Sequence, residues 1–241
     1  MRTVRVLHLV AMCGRFVAST PVSNLATIFD AEVGEVHLKP SWNVAPTSRI
    51  AGISIHDDHR RIDTFVWGLM PKWRASKGAA APLINARAES VAEKPSFRNL
   101  VPGNRCVIPM TGYYEWLTAK EAKRKIPYFI RRGDGTPVAA AGLFDVADEQ
   151  SGGYPRACII TVAANSRLSA VHDRMPAVLE GDALIAWLEG DTAEALSVLK
   201  SAPDESLYAI EVSTKVNSVR NNDESNIEPI ESQLPRSLFE G

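Results

Sequence analysis

Glu115 stands in a setting where a carboxyl group could do acid–base chemistry. It lies between Tyr114 and Trp116, and on a β-strand it would point to the face opposite both aromatic rings. A carboxyl group held among apolar side chains is desolvated, which raises its pKa and suits it to general acid catalysis. An exposed glutamate on an edge strand would give the same pattern, so both interpretations stay open.

His172 is a second candidate for proton transfer. It opens the stretch HDRMP (172–176) and follows a helix that we predict to begin after Asn165, whose side chain can serve as the cap. A histidine changes charge near neutral pH and can therefore act as a neutral proton shuttle. A capping or surface histidine is the alternative interpretation.

Asn85 and Arg87 would share one face if the stretch NARAE (85–89) is extended. An amide can then position a reacting group, and a guanidinium forms a planar fork that suits a phosphate. The alternative is an ordinary polar strand face.

Cys13 follows Met12 in the stretch VAMCGRF (10–16). If Met12 is the true start and is removed, Cys13 carries a free α-amine beside its thiol. The other two cysteines, Cys106 and Cys158, lie in apolar strand patterns and are predicted to be buried and inert. Three cysteines without C-x-x-C spacing argue against a disulfide framework or a zinc site, and they favour a reducing, cytoplasmic setting. We expect no metal or organic cofactor, because the sequence contains no ligand cluster.

Strands must position most of these residues. The patterns predict strands at 49–56, 62–68, 105–109, 112–117, 127–132, 137–144, 157–163 and 206–212. They predict helices at 21–31 and within 182–200, and a structured loop over 67–82. Short turns rather than helical crossovers join the strands. We therefore predict a single α+β domain with an antiparallel, barrel-like β core flanked by short helices.

Charge is unevenly distributed along the 241 residues, although the net charge is only −1. Residues 60–132 hold 15 Lys and Arg against 5 Asp and Glu, whereas residues 133–241 hold 7 against 18. Two solvated faces or a local phosphate-binding surface would both account for this. No apolar run approaches the ~18 residues of a membrane helix, so we expect no membrane partner.

Six motifs together resemble the SRAP family (SOS response-associated peptidase), whose members process abasic sites in DNA. They run in order from Met12 to about Asn222, which is nearly the whole chain. The motifs are MCGRF, WNVAP, WGLMPKW, NARAE, GYYEW and HDRMP. None is decisive alone, but their common order is highly specific.

The resemblance implies roles for individual residues. Cys13 matches the N-terminal cysteine that forms a thiazolidine crosslink with the ring-opened abasic sugar in single-stranded DNA. Glu115 matches an acid that opens the sugar and moves protons, His172 a residue for proton transfer and crosslink reversal, and Asn85 a positioning amide. The resemblance also implies DNA contacts by Arg15, Trp42, Asn43, Pro46, Trp67, Trp73, Arg87 and Arg174.

The extension 1–11 departs from the family pattern, because it leaves Cys13 with an amide nitrogen instead of an amine. Either translation starts at Met12, or the extension is removed, with autocatalytic cleavage as one route. We therefore expect an SRAP-like domain over 12–235 that acts as a monomer in the cytoplasm and at the nucleoid when bound to DNA. The competing hypotheses are a cysteine peptidase that acts on other proteins and a non-covalent single-stranded DNA-binding module.

Overall fold

The computed structural model describes residues 14–71, 81–119, 124–147 and 151–230. The strands in these ranges are β1 (Arg15–Ala18), β2 (Glu32–Val33), β3 (Ser41–Val44), β4 (Arg49–His56), β5 (His59–Trp67), β6 (Asn85–Arg87), β7 (Arg105–Met110), β8 (Gly112–Ala119), β9 (Arg124–Arg132), β10 (Val138–Asp145), β11 (Arg156–Ala163), β12 (Arg174–Pro176) and β13 (Leu207–Glu211). The α-helices are α1 (Val22–Phe29), α2 (Asp182–Leu188) and α3 (Thr192–Ser197).

Two sheets are formed from these strands. The smaller has five strands in the order β13-β9-β8-β1-β3, and all its pairs are antiparallel. The larger has eight strands and runs β12-β11-β10-β7-β4-β5-β2, with β6 paired to β11. A parallel pairing of β11 with β5 brings this sheet back on itself in a ring-like arrangement. The expected α+β domain with a barrel-like β core is confirmed.

The main hydrophobic core joins the two sheets. Phe16 of β1 and Tyr113 of β8 are each 1% exposed and belong to this core. The ring of Phe16 meets Trp67 of β5 edge-on, with 5.0 Å between ring centroids. Such an aromatic contact adds about 1 kcal/mol to the stabilisation from buried area and ties the smaller sheet to the larger.

The outer face of the smaller sheet carries a second cluster, because neighbouring residues of a strand point to opposite faces. Val17, Tyr114 and Phe129 form it with Val212 and Val216 from the segment after β13. The tail that follows β13 therefore covers this sheet. It contains two short 3₁₀ helices, Thr214–Asn217 and Glu224–Ile227.

The helices lie where the sequence predicts them, but they are shorter. α1 buries Leu25 and Phe29, as its apolar spacing indicates. The predicted helical region 182–200 divides into α2 and α3, because Asp191 begins α3 with a capping box that includes Glu194.

Several short strands have no prediction of their own, namely β1, β2, β3 and β12. The predicted helix after Asn165 is a single 3₁₀ turn, Leu168–Ala170. Asn165 Oδ1 accepts a hydrogen bond from the backbone N–H of Leu168 at 2.9 Å, so its capping role is confirmed although the helix is shorter.

Cys106 and Cys158 are both completely buried, as their apolar patterns indicate. Burial raises the pKa of the Cys106 thiol, and it raises the pKa of Cys158 to about 12. At about pH 8 a thiol with a pKa of about 12, such as that of Cys158, has a thiolate fraction more than a thousandfold below that of a free cysteine.

We therefore predict that iodoacetamide labels neither thiol in the folded protein and labels both in guanidinium. Peptide-resolved mass spectrometry measures each cysteine separately, so Cys13 does not confuse the result. Equal labelling rates at Cys106 in the folded and unfolded chains would contradict the predicted burial.

Candidate functional site

Glu115 lies on the inner face of the smaller sheet and is only 2% exposed. Its neighbours Tyr114 and Trp116 belong to the outer cluster, so the predicted alternation along β8 is confirmed. β8 pairs with β9 on one side and β1 on the other. The alternative of an exposed glutamate on an edge strand is therefore wrong, because Glu115 is a buried carboxyl group on an interior strand.

A phenol and a second carboxyl group continue the row from Glu115 across the sheet. Glu115 is the register partner of Tyr128 on β9, and Tyr128 is the register partner of Glu211 on β13. Residues directly opposite each other in antiparallel strands share a face. Burial, followed by the negative charge of Glu211 and a hydrogen bond to it, raises the pKa of Tyr128. The phenol thus stays protonated and donates to Glu211.

His172 comes to the same side of this sheet through its neighbour Val171. Val171 packs with Ile126 and Tyr128 of β9 in a small buried cluster. The side chain of His172 is 17% exposed. Its Nδ1 lies 3.1 Å from the backbone nitrogen of Arg174 and 2.9 Å from Oδ1 of Asp173. This is a half-buried histidine rather than an open surface one.

β6 places Asn85 and Arg87 as the sequence predicts. Ala86 between them is 2% exposed and belongs to the main core, so its two neighbours point to the other face. Asn85 is half-buried and Arg87 is exposed. Both lie beside β11, because Asn85 pairs with Ile159 and Arg87 with Thr161. Arg87 is thus available to a ligand from solvent.

Arg174 reaches across the end of β11 to an acidic partner that sequence reasoning did not single out. Its Nη1 and Nη2 donate to the two carboxylate oxygens of Glu89, and the Nη2 bond is 2.8 Å long. Nη2 also donates to the carbonyl oxygen of Thr161 at 2.6 Å. The guanidinium is held firmly, since its side chain is only 10% exposed.

Asn43 is buried and does not face solvent, although the resemblance implies a DNA contact for it, whereas Arg15 beside it is half-buried. Arg15 Nη1 donates to Asn43 Oδ1 at 2.8 Å and to the carbonyl oxygen of Val216 at 3.0 Å. Asn43 is 5% exposed, and its Nδ2 lies within 3.1 Å of the carbonyl oxygens of Val216, Ser218 and Asn221. Burial lowers the pKa of Arg15. These two side chains anchor the tail against β1 and β3.

Trp67 is a further correction, because its ring has no exposed surface. Its Nε1 donates to the carbonyl oxygen of Ile84 at 3.1 Å. A fully buried ring cannot stack on a nucleobase, so Trp67 is a core residue. Its apolar neighbours in the sequence, Phe65 and Leu69, are the signal that indicates burial.

Two further candidates, Trp42 and Pro46, are partly accessible. Trp42 is half-buried at the border of the outer cluster, and its carbonyl oxygen accepts a hydrogen bond from Tyr114 Oη at 2.8 Å. Pro46 is half-buried in the turn between β3 and β4. Trp73 and Cys13 lie outside the described residues.

The described residues contain neither a membrane-spanning helix nor a cluster of metal ligands. No helix among them is long and apolar enough to cross a bilayer. No group of three or more His, Cys, Asp or Glu side chains among them is arranged to hold a metal ion.

Comparison with known proteins gives a consistent match over most of the chain. The model of a family described as SOS response associated peptidase (SRAP) matches residues 12–219. The abasic site processing protein YoqW of Bacillus subtilis is 34% identical over 225 residues, which cover 90% of this chain and 99% of YoqW. The abasic site processing protein YedK of Escherichia coli is 32% identical over 232 residues, which cover 91% of this chain and 100% of YedK.

A solved structure agrees with the fold. The X-ray structure of a protein from Bacteroides thetaiotaomicron superposes with a TM-score of 0.79 at 27% sequence identity. The match covers 90% of this chain and 100% of that protein.

The hydrogen bonds of Asn43 are predicted to stabilise the folded protein. Asn43→Ala leaves the half-buried Arg15 guanidinium and the carbonyl oxygens of the tail without their shared partner. We expect the free energy of unfolding to fall by about 3 kcal/mol, since each unsatisfied buried polar group costs about 1–3 kcal/mol. Urea denaturation measures the change. The exposed Asn24→Ala serves as the control, and a loss for Asn43→Ala no larger than that of the control would contradict the anchoring role.

Proposed function

Because the chain belongs to the SRAP family, we propose that it processes abasic sites in DNA by forming a covalent crosslink through Cys13. The observation that carries the proposal is the buried carboxyl group beside the start of β1. Arg15 pairs with Tyr114, so Gly14 and Glu115 are the next residues along these two antiparallel strands. Cys13 precedes Gly14 in the sequence, and this closeness along the chain supports Glu115 as the acid for its chemistry.

The chemistry that we propose uses the amine and the thiol of Cys13 in turn. The closed ring of an abasic sugar masks an aldehyde at C1′, and ring opening exposes it. The α-amine, with a pKa of about 7.7–8.0, is partly neutral at physiological pH and attacks this carbon. Loss of water gives an imine, and the thiol sulfur then adds to the imine carbon to close a five-membered thiazolidine ring. One water leaves for each crosslink, and the adduct persists as a covalent product.

Buried and half-buried groups would move the protons of this sequence. We assign to Glu115 the donation of a proton that opens the sugar and assists the loss of water, since a protonated carboxyl is an effective general acid. His172 would assist proton transfer in the forward direction and in reversal of the crosslink. Asn85 would position the sugar or the cysteine.

The DNA surface in this proposal combines basic and aromatic groups. The exposed guanidinium of Arg87 supplies a phosphate contact, and Arg174 lies across β11 from it. Trp42 and Pro46, which are half-buried, and Trp73 complete the set. Aromatic side chains beside positive charges hold single strands by base stacking and phosphate contacts.

A free amine at Cys13 is a condition of this chemistry. While residues 1–11 are attached, the nitrogen of Cys13 belongs to an amide and cannot form an imine. We propose that the working protein begins at Cys13, either by translation from Met12 and removal of that methionine or by removal of the extension.

We predict that a chain whose intact mass shows Cys13 at its start forms a shifted band with single-stranded DNA containing one abasic site. The band survives a denaturing gel because the adduct is covalent. Cys13→Ala abolishes it, whereas Cys158→Ala, which changes a buried thiol, retains it. A covalent band from a chain that still carries Met1 would overturn the mechanism. Cleavage of unrelated peptides or purely non-covalent binding would favour the peptidase or the binding module instead.

We also predict that Glu115→Gln slows crosslinking by about 100-fold, since a positioned general acid contributes roughly 10²–10⁴. Single-turnover gels at several time points measure the rate. Glu205→Gln is the matched control, because it removes one exposed carboxylate before β13. Equal rates for these two variants would exclude Glu115 as the acid.

A further inference from the structure

The ion pair between Glu89 and Arg174 occupies the place where a phosphate would meet two arginines. Arg174 directs both terminal nitrogens at the carboxylate of Glu89 in a two-pronged contact. A guanidinium binds a phosphate in the same two-pronged geometry. The carboxylate of Glu89 therefore takes up the edge of Arg174 that a DNA phosphate would use.

Arg87 adds a second positive charge that acts on this carboxylate. Glu89 follows Arg87 by two residues, at the start of the 3₁₀ helix Ala88–Ser90. Hydrogen bonds from Arg174 are the main cause that lowers the pKa of Glu89, and the charges of Arg174 and Arg87 act in the same direction. Glu89 is thus an anion near two guanidinium groups.

The two partners differ in how tightly the fold holds them. Arg174 is 10% exposed and is also bonded to the carbonyl oxygen of Thr161, so it stays in place without Glu89. Glu89 is 57% exposed. A phosphate offers the same two-pronged contact to the guanidinium, so it can replace a carboxylate that lies largely in solvent.

We propose that the carboxylate of Glu89 mimics a DNA phosphate in the free protein. It keeps the guanidinium of Arg174 in position, and it moves away when the phosphate backbone of a single strand binds. The inference rests on the proposed DNA-binding function and adds a residue that sets its affinity. Glu89 cancels the charge of Arg174 in the free protein, so the wild-type pair contributes little to counterion release.

The salt dependence of binding tests this role. Each phosphate neutralised on a single strand changes the slope of log K against log salt by about −0.7. Glu89→Gln leaves Arg174 without a competitor, so we expect the slope to steepen by about 0.7. At about 0.1 M salt this corresponds to roughly fivefold tighter binding. The probe is a fluorescent single-stranded oligonucleotide without an abasic site, measured by anisotropy at several salt concentrations.

Matched variants distinguish displacement of the Glu89 carboxylate by a phosphate from the general effect of removing one negative charge. Glu93→Gln removes an exposed carboxylate four residues further on, which has no salt bridge to any described residue, and it should leave the slope unchanged. In an Arg174→Gln background, Glu89→Gln should give no further gain. Glu89→Ala should repeat the gain of Glu89→Gln, and thermal denaturation verifies that each variant is folded.

The outcomes distinguish this inference from the proposed function. Weaker binding or an unchanged slope for Glu89→Gln would mean that Glu89 is only a brace between β6 and β12, and the inference would be wrong. If the wild-type chain bound the oligonucleotide at no salt concentration, the proposed DNA partner itself would be wrong.

Discussion

The alternation of side chains along β8 is the constraint on which the candidate site depends. A strand turns successive side chains to opposite faces, so a single register decides that Tyr114 goes outward and Glu115 inward. A slip of one residue would exchange them and would put a carboxyl group into the outer apolar cluster. The tail beyond β13 holds the register from outside, because its apolar residues pack on the Tyr114 face. The position of Glu115 on the inner face of the sheet therefore depends on the packing of the tail on the outer face.

The polar contacts of the tail extend this dependence to β1 and β3. The side-chain amide of Asn43 donates to three backbone carbonyl oxygens within residues 216–221, and its oxygen accepts a hydrogen bond from Arg15. Buried polar groups are stable only when they are bonded, so this cluster specifies one position for the tail. β1, which begins at Arg15, is thereby tied to the tail through the Arg15 side chain.

Several ion pairs join the basic middle segment of the chain to acidic residues that follow it. Arg60 pairs with Glu189 at 2.6 Å, and Arg132 pairs with Glu180 and with Asp134. Basic residues of the middle segment are thus partly neutralised by acidic residues that come later in the sequence. In the proposed DNA surface, Arg87 and the Glu89–Arg174 pair supply the local charge.

Motifs and spacing were sufficient to predict the family, the α+β class, the long strands and the alternation that turns Glu115 away from its aromatic neighbours. These features depend on local periodicity and on residue types in order, which a sequence contains directly. The short strands β1, β3 and β12 were missed because three or four residues carry too little pattern, and their pairing partners lie far away in the chain. For the same reason Asn43 and Trp67 were assigned to a surface that they do not reach. Whether a polar or aromatic side chain meets solvent or another part of the protein depends on contacts between distant segments, and those contacts exist only in the tertiary structure.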